Sequence, residues 1–240
     1  MIVVFAIDAL EYTKVEEYGC EHLKQAVYGK TNISEFSQPR TMVLWSSFMT
    51  GENKEEEILA KGDKDMWNTC IPLDETFFSK FENPCVIDLP GFNYDLKVHE
   101  RSRELLRSFF ETKDEEEKSS VIKEYNKDAF EHHRRVKEQF LKELDTGHDF
   151  VLGYFSIADV VGHLNFGNKT MMKMIYKDLD ELVIRIHELT DQCMVLSDHG
   201  MEAIGRFGDH SKYGFWSTSW QSGMTNPRIT EIKDAILSQR

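Results

Sequence analysis

Asp8, Asp159 and Asp198 each follow an apolar run: MIVVFAI leads into Asp8, FVLGYFSI into Ala158 and Asp159, and QCMVL into Ser197, Asp198 and His199. Taken singly, an aspartate after a strand is more often a turn former or a helix cap. Repeated after three such runs, it marks a place where carboxylates collect. The sequence around Asp159 is DVVGH, which sets His163 four residues on; around Asp198 it is SDHG, and His210 follows in FGDHSKYG. Carboxylate oxygens mixed with imidazole nitrogens suit zinc or manganese, and without a CxxC pair a structural zinc ribbon is not in play. Thr41 opens the segment TMVLWSSFMTG, at a loop-to-helix junction. A free threonine hydroxyl is a poor nucleophile at neutral pH, so a chemical role for Thr41 needs a metal or a base beside it. Its competing role is that of a plain helix N-cap.

The elements that must position these residues follow from hydrophobic pattern. Residues 1–7, 85–89, 150–157 and 192–196 read as buried strands, because they are continuous apolar runs rich in β-branched and aromatic residues. Thr13 is expected to cap a helix running to Tyr28, with Gly29 closing it. A helix is expected from Thr41 to Gly51, another over 169–189, and a capped C-terminal helix after Pro227. Residues 96–145 are dense in Glu, Lys and Arg at helical spacing and break near 112–118, which predicts two helices with a solvated face or a lid over the site. His132 and His133 lie within that run and read as solvated. Alternating strands and helices imply a mostly parallel sheet with helices on both faces, and ligands in such sheets gather at the carboxyl ends of the strands.

Composition narrows the function class. With 240 residues the expectation is a single domain, 1–240, in which 96–145 is a charged helical insertion. A formal charge of −13 argues against bulk nucleic-acid binding, which needs a basic face. An acidic protein acting on a phosphate must concentrate positive charge locally, and bound divalent ions do that. A mean hydropathy of −0.47 and an N-terminal apolar stretch too short to span a bilayer predict no membrane association. The expectation is a cytoplasmic protein starting at Met1, with Cys20, Cys70, Cys85 and Cys193 as reduced thiols.

The segments VVFAIDAL, TMVLWSSFMTG, DVVGH, VLSDHGM and GDH occur in the order found in the alkaline phosphatase superfamily, and the chain resembles its type I phosphodiesterase and nucleotide pyrophosphatase branch. Thr41 precedes Thr50-Gly51 by the offset seen there. The resemblance implies a three-layer α/β/α sandwich with a mostly parallel central sheet. It implies two divalent metal ions, zinc or manganese, one held by Asp8, Asp198, His199 and the Thr41 oxygen, the other by Asp159, His163 and His210. It further implies hydrolysis of phosphodiester or pyrophosphate bonds of a small, nucleotide-like substrate through a phosphothreonine at Thr41. Two other readings share these residues: a phosphomonoesterase or phosphomutase, and a catalytically reduced metal- or phosphate-binding module. The pattern departs from the branch at Val43 and Leu44, where Pro and a phosphate-contacting Asn are usual; Arg40 is the candidate replacement for that contact. Phe215, Trp216 and Trp220 are candidates for stacking on a nucleobase, with core packing as the alternative.

Overall fold

The computed structural model describes residues 1–240. In chain order the elements are β1 (Ile2–Ile7), α1 (Tyr12–Glu17), α2 (Glu21–Lys24), β2 (Val27–Asn32), α3 (Thr41–Thr50), α4 (Glu55–Leu59) and α5 (Gly62–Asp65). They continue with β3 (Pro84–Ile87), α6 (Leu96–Glu111), α7 (Glu115–Glu143), β4 (Phe150–Phe155), α8 (Ile157–Asn165) and α9 (Lys169–His187). The chain ends with β5 (Cys193–Leu196), β6 (Met201–Ile204), β7 (Phe207–His210), β8 (Tyr213–Thr218) and α10 (Ile232–Leu237).

Six strands form one sheet in the order β2-β8-β5-β1-β4-β3. β1 lies inside it, parallel to β4 (Ile2 opposite Phe150) and to β5 (Val3 opposite Cys193), and β3 runs parallel to β4. β8 is antiparallel to both β5 and β2, so the sheet is parallel on one side and closes with a reversed pair on the other. β6 and β7 make a separate two-stranded hairpin.

β1 is apolar at every position because both of its faces are covered. Val3, Phe5 and Ile7 point into a core shared with α7, α8 and α9, whereas Ile2, Val4 and Ala6 point into a second core built with α3 and α10. The alternation of a strand's side chains between opposite faces thus produces two cores from one run of sequence. The result is a three-layer α/β/α arrangement. Phe140 of α7 lies against the backbone of Gly153 in β4, where an added Cβ would come within 2.5 Å of its ring. α7 is therefore seated directly on the sheet, with Tyr125, Ala129, Val136 and Phe140 buried and its charged residues outward.

One element differs from expectation. The helix expected from Thr13 to Tyr28 ends at Glu17, and residues 27–32 form β2. Gly19 takes a left-handed φ of +64°, which stops α1. Val27 to Asn32 then pair with Thr218 to Tyr213, a partner far away in sequence that overrides local helical spacing. Gly29 is not a helix cap: it lies beneath the Trp216 indole, where a Cβ would meet the ring at 3.2 Å.

Candidate functional site

The ends of the parallel strands converge on one point. Asp8 follows β1, Asp198 and His199 follow β5, and Asp159 lies in the first turn of α8, with His163 one turn further on the same helix face. Thr41 is the first residue of α3, and His210 closes β7. Five of these side chains form two overlapping groups, Asp8, Asp198 and His199 in one and Asp159, His199 and His210 in the other, with Thr41 beside His199 and His163 beside Asp159.

Distances define the two hubs. His199 Nε2 lies 3.3 Å from Asp8 Oδ1, 3.4 Å from Asp198 Oδ2 and 3.3 Å from Thr41 Oγ1. Asp159 Oδ1 lies 3.3 Å from His163 Nε2 and 3.4 Å from His210 Nε2. The carboxylate contacts are close but lack hydrogen-bond geometry: Asp8 Oδ1, Asp159 Oδ1, both oxygens of Asp198 and His210 Nε2 are buried without a hydrogen-bond partner. Orphaned buried polar atoms are costly and in native proteins call for an explanation.

The imidazole tautomers supply one. His163 Nδ1 faces the Gly208 carbonyl (3.2 Å), His199 Nδ1 the Gly200 carbonyl (3.0 Å) and His210 Nδ1 the Pro39 carbonyl (2.8 Å). A carbonyl only accepts, so in each ring Nδ1 carries a proton, and in the neutral imidazole Nε2 presents the lone pair. Lone pairs and carboxylate oxygens thus converge on the same points, which is the arrangement of metal-ligating histidines with backbone acceptors behind them. Four ligands at roughly 2.0–2.1 Å around a tetrahedral ion stand roughly 3.3 Å from each other, the separation seen at both hubs. The residues present fit divalent metal ions.

The same groups shift one another's ionisation. Burial, then the charges of Asp198 and Asp159, push the Asp8 carboxyl well above the usual carboxylate range, and burial beside Asp159 raises Asp198 likewise. Burial also opposes ionisation of Asp159, but His163 and His210 outweigh it and hold that carboxyl well below its usual value. Burial and the neighbouring His210 keep His199 neutral, with its pKa well below the usual range. Burial would lower His210 too, yet Asp159 dominates and lifts it to about 9.

Several residues that frame the site gave no sequence signal. The Tyr154 hydroxyl donates to Asp8 Oδ2. Buried Glu11 accepts from the Thr13 amide (3.0 Å), the Met201 amide (3.2 Å), Ser211 Oγ (3.2 Å) and the Tyr213 hydroxyl (2.6 Å), tying the loop after β1 to the start of β6, just beyond His199, and to the segment that follows His210. Gly200 is required for this approach, since a Cβ there would lie 2.3 Å from Glu11 Oε2.

His132 and His133 are corrected from solvated to buried or half-buried partners. His132 Nε2 and His99 Nε2 both donate to Asp88 Oδ2, at 2.7 and 2.9 Å, and His133 Nε2 donates to Asp178 at 2.8 Å. Their places on the inner face of α7, toward the sheet, override the charged neighbours. Asp88, His99 and His132 also form a compact donor group, but its chemistry differs from the first. An Arg135 N–H points at His132 Nδ1 (3.2 Å), which makes Nδ1 the acceptor and Nε2 the proton carrier. This trio is a closed hydrogen-bonded tie between β3, α6 and α7, not a ligand set.

Arg40 does not face the site: its guanidinium bonds Gln38 and Asp63. The guanidinium lining the cavity belongs to Arg103. Phe215 and Trp216 are core residues, 0% and 2% exposed, so they are closed to stacking on a ligand, whereas Trp67 and Tyr94 line the cavity. That cavity has a volume of 260 Å³ and contains Asp8, Thr41, Asp159, His163 and His210. A larger groove of 520 Å³ between α7 and α9 has no such converging donors.

Residues 71–216, more than half of the chain, match the family model described as type I phosphodiesterase / nucleotide pyrophosphatase. The chain belongs to this family. The matched span holds Asp159, His163, Asp198, His199 and His210, while Asp8 and Thr41 lie before it. Among solved structures, Ps i-CgsB in complex with k-i-k-neocarrahexaose is similar at 13% identity and a TM-score of 0.50, over 99% of this chain and 71% of that one, a likeness of fold. Murine ectonucleotide pyrophosphatase / phosphodiesterase 5 matches at 13% identity and a TM-score of 0.43, over 85% of this chain. An inactive form of the murine protein in complex with AMP matches at 12% identity, with the same TM-score and coverage. This chain spans 58% of the murine protein's length. No curated protein matches the sequence. The four cysteines are free, and no helix is long and apolar enough to cross a membrane.

Proposed function

We propose that this protein hydrolyses phosphodiester or pyrophosphate bonds of a small, nucleotide-like substrate, with Thr41 as nucleophile and two divalent cations, zinc or manganese, as cofactors. The observation that carries the reading is the set of three imidazoles whose Nδ1 protons are held by backbone carbonyls while their Nε2 lone pairs meet donor-less carboxylates around Thr41. Asp8, Asp198, His199 and Thr41 would hold one ion, and Asp159, His163 and His210 the other. Bound there, the ions supply Lewis acidity that lowers the pKa of a coordinated hydroxyl and neutralises charge on phosphate oxygens.

The chain's own residues contribute the rest. Thr41 lies in the cavity wall, 5% exposed, and its Oγ1 is held at 3.3 Å by His199 Nε2, which fixes the rotamer of the attacking oxygen. The amides in the first turn of α3 have no intrahelical acceptor and are donors for phosphate oxygens at the positive end of the helix. Attack of Thr41 Oγ on phosphorus forms the new P–O bond as the ester or anhydride oxygen departs; water then cleaves the phosphothreonine and restores the hydroxyl. The Tyr154 hydroxyl and the Glu11 network hold Asp8 and the loops after β5 and β7 in register with Thr41 throughout.

The test is p-nitrophenol release from bis-p-nitrophenyl phosphate and from p-nitrophenyl phosphate by metal-stripped protein resupplied with zinc or manganese, beside Thr41→Ala. Metal-dependent diester cleavage lost in the variant is the expected result. A monoester preference would turn the reading to a phosphatase or mutase, and tight phosphate binding without turnover on any ester to a binding module.

A further inference from the structure

Beyond the residues assigned above, one cation in the site is unaccounted for. Arg103 lies on α6 and lines the cavity together with Asp8 and Asp159, yet no carboxylate lies within ion-pairing distance of it; Asp63 nearby is taken by Arg40. Instead its guanidinium rests over the Trp67 ring at 4.1 Å. Trp67 stacks on Tyr94 (6.2 Å, 19° between planes), Tyr94 on His99 (3.9 Å, 9°), and His99 is pinned to Asp88 at 2.9 Å. The column Arg103–Trp67–Tyr94–His99 is thus anchored on the closed tie between β3, α6 and α7, and its free end carries a pre-positioned positive charge.

Arg103 and Trp67 also line a second cleft of 390 Å³, with Asp63, Lys64, Glu100, Glu104 and Arg107. They form the junction between this outer cleft and the inner cavity. The outer cleft is mixed in charge, so it offers an anion no net attraction away from the junction. At 260 Å³ the inner cavity is small for a whole ligand. A substrate whose phosphorus sits at Thr41 therefore extends out of this cavity, and Arg103 stands where it meets the outer cleft.

We propose that Arg103 is a specificity-determining residue that receives a second anionic group of the substrate, such as the neighbouring phosphate of a phosphoanhydride, at the junction of the two cavities. The planar fork of a guanidinium suits a phosphate or carboxylate in two-point contact, and stacking on Trp67 pre-orders it. This inference rests on the hydrolase reading above.

The experiment compares wild type, Arg103→Gln and Arg103→Lys, with zinc in excess, on ATP (followed as AMP released) and on bis-p-nitrophenyl phosphate, whose arms are uncharged. Thermal unfolding of each variant checks that it folds. Loss of a charge-assisted contact is expected to lower kcat/KM for ATP about 10- to 100-fold in Arg103→Gln, mainly through KM, with a loss on the diester at least ten times smaller. Arg103→Lys should recover part of the ATP activity, because it keeps charge and loses the fork. Equal losses on both substrates, or none, would overturn the assignment of Arg103 while leaving the hydrolase reading intact. Absence of metal-dependent turnover of both substrates by the wild type would overturn the hydrolase reading, and this inference with it.

Discussion

Asp198→Asn is expected to stabilise the metal-free protein and to weaken its response to metal. Asp198 is wholly buried, both of its oxygens lack a donor, and it faces Asp8, whose Oδ1 is also orphaned. Without an ion, folding must bury this pair or protonate it. An asparagine removes the charge and offers an amide N–H to Asp8. Relieving one unsatisfied buried charged group contributes about 1–3 kcal/mol, and at this chain length each kcal/mol moves Tm by about 2–4 °C. The metal-free variant should therefore melt about 2–12 °C above metal-free wild type. Zinc at a hundredfold excess over its Kd stabilises by about 2.7 kcal/mol, so wild type should gain about 5–11 °C and the variant much less; the order of the two melting temperatures narrows or inverts. The pH dependence has a definite sign. Asp8 and Asp198 have folded pKa values raised above the unfolded ones, so their stabilising contribution is complete below about pH 3.9 and is lost as pH rises through the raised values. Metal-free wild type should lose Tm as pH rises above about 4 more steeply than Asp198→Asn. Differential scanning calorimetry with and without chelator measures all of this. A metal-free Asp198→Asn that melts below metal-free wild type would refute the claim that these carboxylates are arranged for an ion.

Other perturbations separate the roles. Thr41→Ala should abolish turnover, a loss of at least about a thousandfold for an attacking group, while calorimetric titration still detects zinc through the remaining ligands. Glu11→Gln should leave the ligands in place and lower zinc affinity about 10- to 100-fold, the usual effect of disturbing groups behind a metal site, seen by competition with a chromophoric chelator. Asp88→Asn should cost about 1–3 kcal/mol in urea unfolding, since one carboxylate oxygen takes two imidazole N–H groups. Burial alone would raise Asp88, but His132 and His99 hold its pKa at about 2, so the wild-type advantage should persist above about pH 4 and vanish as pH falls toward 2.

Much of this protein is legible residue by residue. β1, β4 and β5 declare themselves because strands covered on both faces must be continuously apolar, and each is followed within four residues by an aspartate of the candidate site. Spacing by a helical turn joins Asp159 to His163, and Thr41 opens α3 as its segment suggests. What escapes is whatever depends on a partner distant in sequence. β2 exists because β8 pairs with it; His132 is inward because Asp88 waits at the end of β3; Arg103 and Tyr154 resemble any surface arginine or core tyrosine until the chain brings them to the site. The nearer arginine, Arg40, drew attention by adjacency to Thr41, whereas spatial adjacency fell to one on α6.

The hub at Glu11 sets a timetable for the nascent chain. Its bonds to Met201 and Tyr213 span separations of 190 and 202 residues, so the loop behind Asp8 stays unclosed until the segment through Tyr213 has left the ribosome. Until then Asp8, Asp159 and their neighbours are separate carboxylates on an incomplete sheet, and such long-range closure is the slow part of folding. A chain stopped before His210 would lack that imidazole and the tether that aligns Asp8 with His199.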